Sequence, residues 1–303
     1  MSSGNVTIAM QVSRALPSAE QAVWDSLTPE FAREVPDPQR VQLVITDRYE
    51  QTAGAYAVQS PTRSNTTATA ADYRAGKPDG AMAVAKTIDL PNDEVVVVAS
   101  TDLIRLGHQS VRRVLLHEAQ HVRLHQHGDS AMAVHRRVTF ELPGDLQWEF
   151  VWLAESVVDE FRCERAMHEK GLGSSDAGSV VDDYPDIVAL FDTVRRDYHR
   201  VGDLMVAYHG SFRVLDRLGT FLAYGAASIV LNPGTAEAWT SVPSLAKLLD
   251  IVSHVPSPAE RVPDEQLTAA SVEVARVLRG TFQEIGFDLY FLPDTSRYFE
   301  LLD

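Results

Sequence analysis

The chain has 303 residues, 45% hydrophobic and 23% charged, which fits one large or two ordinary globular domains and excludes a wholly disordered polypeptide. With 27 Lys+Arg against 42 Asp+Glu the formal charge is −15, and so acidic a surface repels phosphate backbones, so nucleic acid is not expected as a partner. The single cysteine, Cys163, excludes an intramolecular disulfide framework and fits a reducing, cytoplasmic setting. Neither a secretory leader nor an apolar run of roughly 18–20 residues is read, and no membrane contact is expected.

The first hundred residues read as mixed α and β. Ser18 and Gln21 have the spacing of a capping box opening a helix that carries Val23, Trp24, Leu27 and Phe31, ended by Pro36 and Pro38. Val41, Leu43 and Ile45 alternate as in a half-buried strand. Ser60–Gly80, rich in Ser, Thr and Ala and without a period, reads as a mobile loop. Ala81–Leu90 and Glu94–Ser100 read as strands joined through Pro91-Asn92-Asp93, a hairpin. From Thr101 the period lengthens to about 3.6. Helices are expected at Gln109–His127, stopped by Gly128, and at Asp145–Lys170, stopped by Gly171. The Gly/Ser-rich segment Gly171–Ser179 places a domain boundary near 172/173. Beyond it Pro185–His209, Ser211–Leu231, Val242–Val255 and Asp264–Ile285 read as helices, and Asp288–Leu292 as a short strand.

Several familiar signals fail on their letters. Ala75-Gly76-Lys77-Pro78 lacks the leading glycine and the hydroxyl residue of a phosphate loop, and Gly171-Leu172-Gly173 lacks the third glycine of a dinucleotide fingerprint. No nucleophile elbow occurs, and Cys163 sits inside an expected helix as a small hydrophobe.

One motif carries chemistry: His117-Glu118-Ala119-Gln120-His121, an H-E-x-x-H. On a helix, residues i and i+4 share a face one turn apart, so both imidazoles reach one ion, and Zn²⁺ accepts such nitrogens at about 2.0–2.1 Å. Glu118 can lean over a coordinated water whose pKa has dropped toward about 7 and take its proton as it attacks a carbonyl. Two histidines need a third ligand. The next helix offers Glu155-Ser156-Val157-Val158-Asp159-Glu160-Phe161, in which Glu155 and Asp159 share a face. Glu155 is the leading ligand and Asp159 its companion, accepting the second N–H of a ligand histidine; Glu160 and Asp159 are the alternative ligands.

At these residues the chain resembles the gluzincin branch of zinc metallopeptidases. Thermolysin-like enzymes pair H-E-x-x-H with a later E-x-x-x-D, the spacing of Glu155 and Asp159. It also resembles the ImmA/IrrE-type peptidases, whose E-x-x-A-N-x-F is matched by Glu155, Val158, Asp159 and Phe161, with Val for Ala and Asp for Asn. The resemblance spans roughly Ala81–Gly171. It implies an α+β fold with a small zincin-like sheet over the active-site helix, residues 1–172, followed by a mostly helical region, residues 173–303. It further implies that a substrate peptide pairs with an edge strand, for which Glu94–Ser100 is the candidate. In the rival metzincin pattern His127 would be the third ligand, but Leu124 stands where that pattern needs glycine. Tyr208, His209 and Arg162 are candidate oxyanion donors.

The function expected is a Zn²⁺-dependent peptidase acting on a peptide or protein with Glu118 as general base. The alternatives are a partner-binding protein with a structural metal site and a metal-dependent hydrolase of a small molecule.

Overall fold

The four consecutive valines Val95–Val98 cannot be sorted into a wet and a dry face, and in the computed structural model all four are buried. A strand with no polar face must be covered on both sides and paired on both edges. The structure describes residues 6–60, 85–137, 141–173, 177–239, 242–291 and 297–302. The expected loop Ser60–Gly80, apart from Ser60, and the start of the Ala81–Leu90 strand lie outside them. By their internal contacts the residues form two compact units, Met1–Asp129 and Ser130–Asp303. This division falls well before the Gly/Ser-rich segment that suggests a boundary in the sequence.

In the first unit, β1 (Thr7–Gln11), β2 (Val41–Thr46), β3 (Ala85–Asp89) and β4 (Val95–Ser100) form one sheet in the order β1-β2-β4-β3. β1, β2 and β4 are parallel, and β3 pairs antiparallel to β4 with Thr87 opposite Val97. The hairpin expected around Pro91-Asn92-Asp93 is present, with Asn92 and Asp93 both at positive φ. The choice of Glu94–Ser100 as the edge strand is overturned: β4 is held by β2 on one side and β3 on the other, and among the described residues β3 takes the edge.

Helix α1 (Ser18–Glu34) and helix α3 (His108–His127) cover one face of this sheet, and α2 (Tyr49–Ala57) covers the other. The capping box at Ser18 does not form. Pro17 occupies the cap without a side-chain bond, and Gln21 instead donates to Asp25 at 2.8 Å. α3 ends as expected: Gly128 adopts φ 62°, and the Asp129 N–H reaches back to the Leu124 carbonyl at 2.9 Å. A left-handed residue there lets two orphan carbonyls be satisfied in one turn.

The second unit is helical. α4 (Ala131–Arg137) and α5 (Trp148–Glu169) are followed by α6 (Ala177–Val201), α7 (Leu204–Leu231), α8 (Pro243–Val252) and α9 (Asp264–Glu284). A hairpin of β5 (Phe287–Phe291) and β6 (Arg297–Leu301) closes the chain, and β6 has no counterpart in the sequence reading. α5 packs on α7 and α9 around Phe150, Phe191, Phe282 and Phe287. Two expected boundaries move. α6 begins before Pro185, which lies inside it, and the break before α7 falls at Gly202 (φ 72°), not at Gly210. Gly210 sits within α7, where an added Cβ would come 3.1 Å from the Val194 methyls, so its role is close packing.

α7 corrects the absence of a long apolar run: 18 of its residues have mean hydropathy 1.4, enough by length and composition to cross a bilayer. Within the second unit 61% of that stretch is buried, including Leu215, Leu218, Leu222 and Ala226, as in the central helix of a bundle.

Candidate metal centre

α3 is fixed by its apolar stripe. Val111, Leu115, Ala119 and Val122 recur at helical spacing and are buried against α1 and the sheet. At 100° per residue His117 and His121 then stand on the other side of the helix, with Glu118 between the two faces. His117 and Glu118 are buried and His121 is half-buried. The two imidazoles converge through Nε2, with the nitrogens 3.2 Å apart and the ring planes 68° from parallel. Two nitrogens bound to one tetrahedral ion at about 2.0–2.1 Å would themselves be about 3.3 Å apart. At the observed separation the rings either share one proton or aim both lone pairs at one cation.

Glu118 is oriented from the edge of the sheet. Thr87 Oγ1 donates to Glu118 Oε2 at 2.7 Å and lies 3.2 Å from the Glu118 carbonyl oxygen. Thr87 is the site residue that the sequence reading missed. The hairpin register, which sets Thr87 on the same face of the sheet as Val97, was the available signal.

His127 is the last residue of an unbroken helix. Six residues beyond His121 it lies about 9 Å further along the axis, and no reversal at Leu124 brings it back. The metzincin alternative fails for want of that turn. His125 likewise continues the helix past the pair.

The remaining candidates lie in the second unit, on and around α5. Glu155 and Asp159 are buried one turn apart, and Glu160 is half-buried. Both Asp159 oxygens are engaged at the start of α4, accepting from Ser130 Oγ at 2.5 Å and from the Ala131 N–H at 2.8 Å. Trp152, on the same helix, is half exposed. Arg162, an oxyanion candidate, is fully buried and donates to the carbonyls of Pro256 and Glu260, each at 3.0 Å; it fastens a loop. Tyr208 donates to Glu149 at 3.0 Å, and the exposed His209 stands edge-on to the Tyr208 ring.

A separate open cleft of about 490 Å³ lies where β1 and β2 end, lined by Ser13, Thr46, Asp47, Arg48 and Thr52 among others. Its polar groups bond to one another: Ser13 to Asp47, Thr46 to Thr52, and the Arg48 N–H to Thr46.

No protein-family model, no curated protein and no solved structure matches this chain.

Proposed function

We propose that the protein is a metal-dependent peptidase. His117 and His121 would supply two ligands to a divalent cation, and a carboxylate of α5 would supply the third. Glu155 is favoured by its spacing from Asp159, and Glu160 and Asp159 are the alternatives. Two imidazoles and one carboxylate suit Zn²⁺ with a position left open. A bound divalent cation supplies Lewis acidity and lowers the pKa of a coordinated water.

The chain's own groups supply the rest. Glu118, one residue from a ligand and held at a fixed rotamer by Thr87, takes the proton of the attacking water and passes it to the leaving amine. A structural metal site would have no use for a buried acid beside an open vertex, so Glu118 favours catalysis. Substrate would lie as an added strand along β3, the edge next to the motif helix, and not along β4. An extended main chain is the class of ligand such an edge accepts.

The observation that carries this reading is the 3.2 Å separation of the two Nε2 atoms beside the Thr87-held Glu118 carboxylate. Elemental analysis of purified protein should find a near-stoichiometric divalent metal that His121→Ala removes. Glu118→Gln should retain the metal and lose about 10²- to 10⁴-fold in casein hydrolysis, the share typical of a general base. A metal-free wild type, or a glutamine variant with full activity, would overturn it.

A further inference from the structure

β3 presents two different functions at one residue. The Leu90 N–H donates to the Glu94 carbonyl at 2.8 Å and closes the hairpin. In an antiparallel ladder, bonded and non-bonded pairs alternate. Counting back from Leu90, Ile88 and Lys86 exchange bonds with β4, whereas Thr87 turns its backbone groups away from β4, toward what is the sheet's edge among the described residues. The period of two also sends the Thr87 side chain toward α3, where its hydroxyl donates to Glu118 at 2.7 Å. The backbone of Thr87 is therefore offered to an incoming strand while its side chain grips the base.

We propose that Thr87 is a positioning residue that couples peptide docking on β3 to the orientation of Glu118. This rests on the peptidase reading above. An extended peptide added to β3 would exchange main-chain bonds with the Thr87 N–H and carbonyl, fixing the residue from the side opposite Glu118. The same contact sets the distance between the substrate backbone and the carboxylate, because both are measured from one Cα. A substrate with proline opposite Thr87 could not donate in that pair and would dock more weakly.

Thr87→Val removes the hydroxyl but keeps a β-branched side chain suited to a strand, and Thr87→Ser keeps the hydroxyl. Each would be compared with wild type by far-ultraviolet circular dichroism, by bound metal, and by initial rates over a concentration series of denatured casein. The valine variant should fold and keep its metal and apparent KM, while kcat falls about 10- to 100-fold, within the range at stake in positioning a general base. The serine variant should recover to within a few-fold of wild type. A valine variant with unchanged kcat, or valine and serine variants equally slow, would overturn the positioning role while leaving the peptidase reading intact. A wild type without metal-dependent hydrolysis would overturn both, and Glu118→Gln measured in parallel separates these cases.

Discussion

Arg112 lies on α3 ahead of His117 and grips Glu30 of α1 with a forked guanidinium, its Nε 2.9 Å from both carboxylate oxygens. The hydrogen bonds and charge of Arg112 hold the Glu30 carboxyl below its ordinary value of 4.5. A carboxyl depressed in the folded state adds stability above the pH at which the unfolded chain ionises, and that stability is lost as pH falls through the lower folded value. Glu30→Gln should therefore cost about 0.5–1 kcal/mol at neutral pH, the scale of a partly exposed bidentate pair, and little once the pH is well below 4.5. Urea titrations of both proteins at several pH values would show the difference shrinking with acidification. A cost unchanged by pH would mean that the side chain acts through packing. Asp159 is a different case, because both its oxygens secure the start of α4. Asp159→Ala should cost about 2 kcal/mol through the loss of two bonds to a charged acceptor, read as a lower thermal midpoint. At this scale the sequence was uneven. His117, Glu118 and His121 were legible because one helical turn fixes their spacing. Thr87 was not, because it meets Glu118 only after the sheet has chosen which strand lies at its edge.

The elements show the same division between local and non-local causes. The end of α3 could be read from Gly128 because a left-handed C-cap is written in one residue, and its φ of 62° is the predicted conformation. Gly128→Ala should cost about 1 kcal/mol, since a Cβ strains that conformation, and it should raise amide exchange in the last turn of α3. The strand order was not legible. Val95–Val98 announces burial on both faces but not which neighbours do the burying, so the likeness to edge-docking peptidases pointed to the wrong strand of the hairpin. α5 likewise depends on a distant residue. A Cβ added at Gly219 of α7 would fall 2.6 Å from Val157 Cγ2, so the glycine sets how closely the two helices approach. That distance is below van der Waals contact, so even one added methyl forces a shift where α7 meets the helix that carries Glu155, Asp159 and Glu160.

For the whole molecule the decisive fact is that the chain divides between Asp129 and Ser130, which leaves the two imidazoles in the first unit and the acids of α5 in the second. The composition change at Gly171–Ser179 suggests a boundary because glycine and serine mark flexible backbone. A unit, however, is defined by what its helices bury, and α5 buries Phe150, Val157 and Phe161 among the later helices. It follows that residues 1–129 alone offer His117 and His121 but no carboxylate of α5. If the third ligand comes from that helix, the isolated first unit should bind Zn²⁺ at least tenfold more weakly than the full chain, by competition with a chromophoric chelator. Within α5, Glu155 and Glu160 are five residues apart and so about 140° apart around the helix, too far for both to complete one ligand set without distortion. Of Glu155→Gln and Glu160→Gln in the full chain, one should therefore lose its metal and the other keep it. Glutamine preserves the size of the side chain and one acceptor oxygen, so loss of metal with an unchanged circular dichroism spectrum would report the missing charge and not a collapsed helix. Full metal in both variants would exclude these two glutamates as the third ligand.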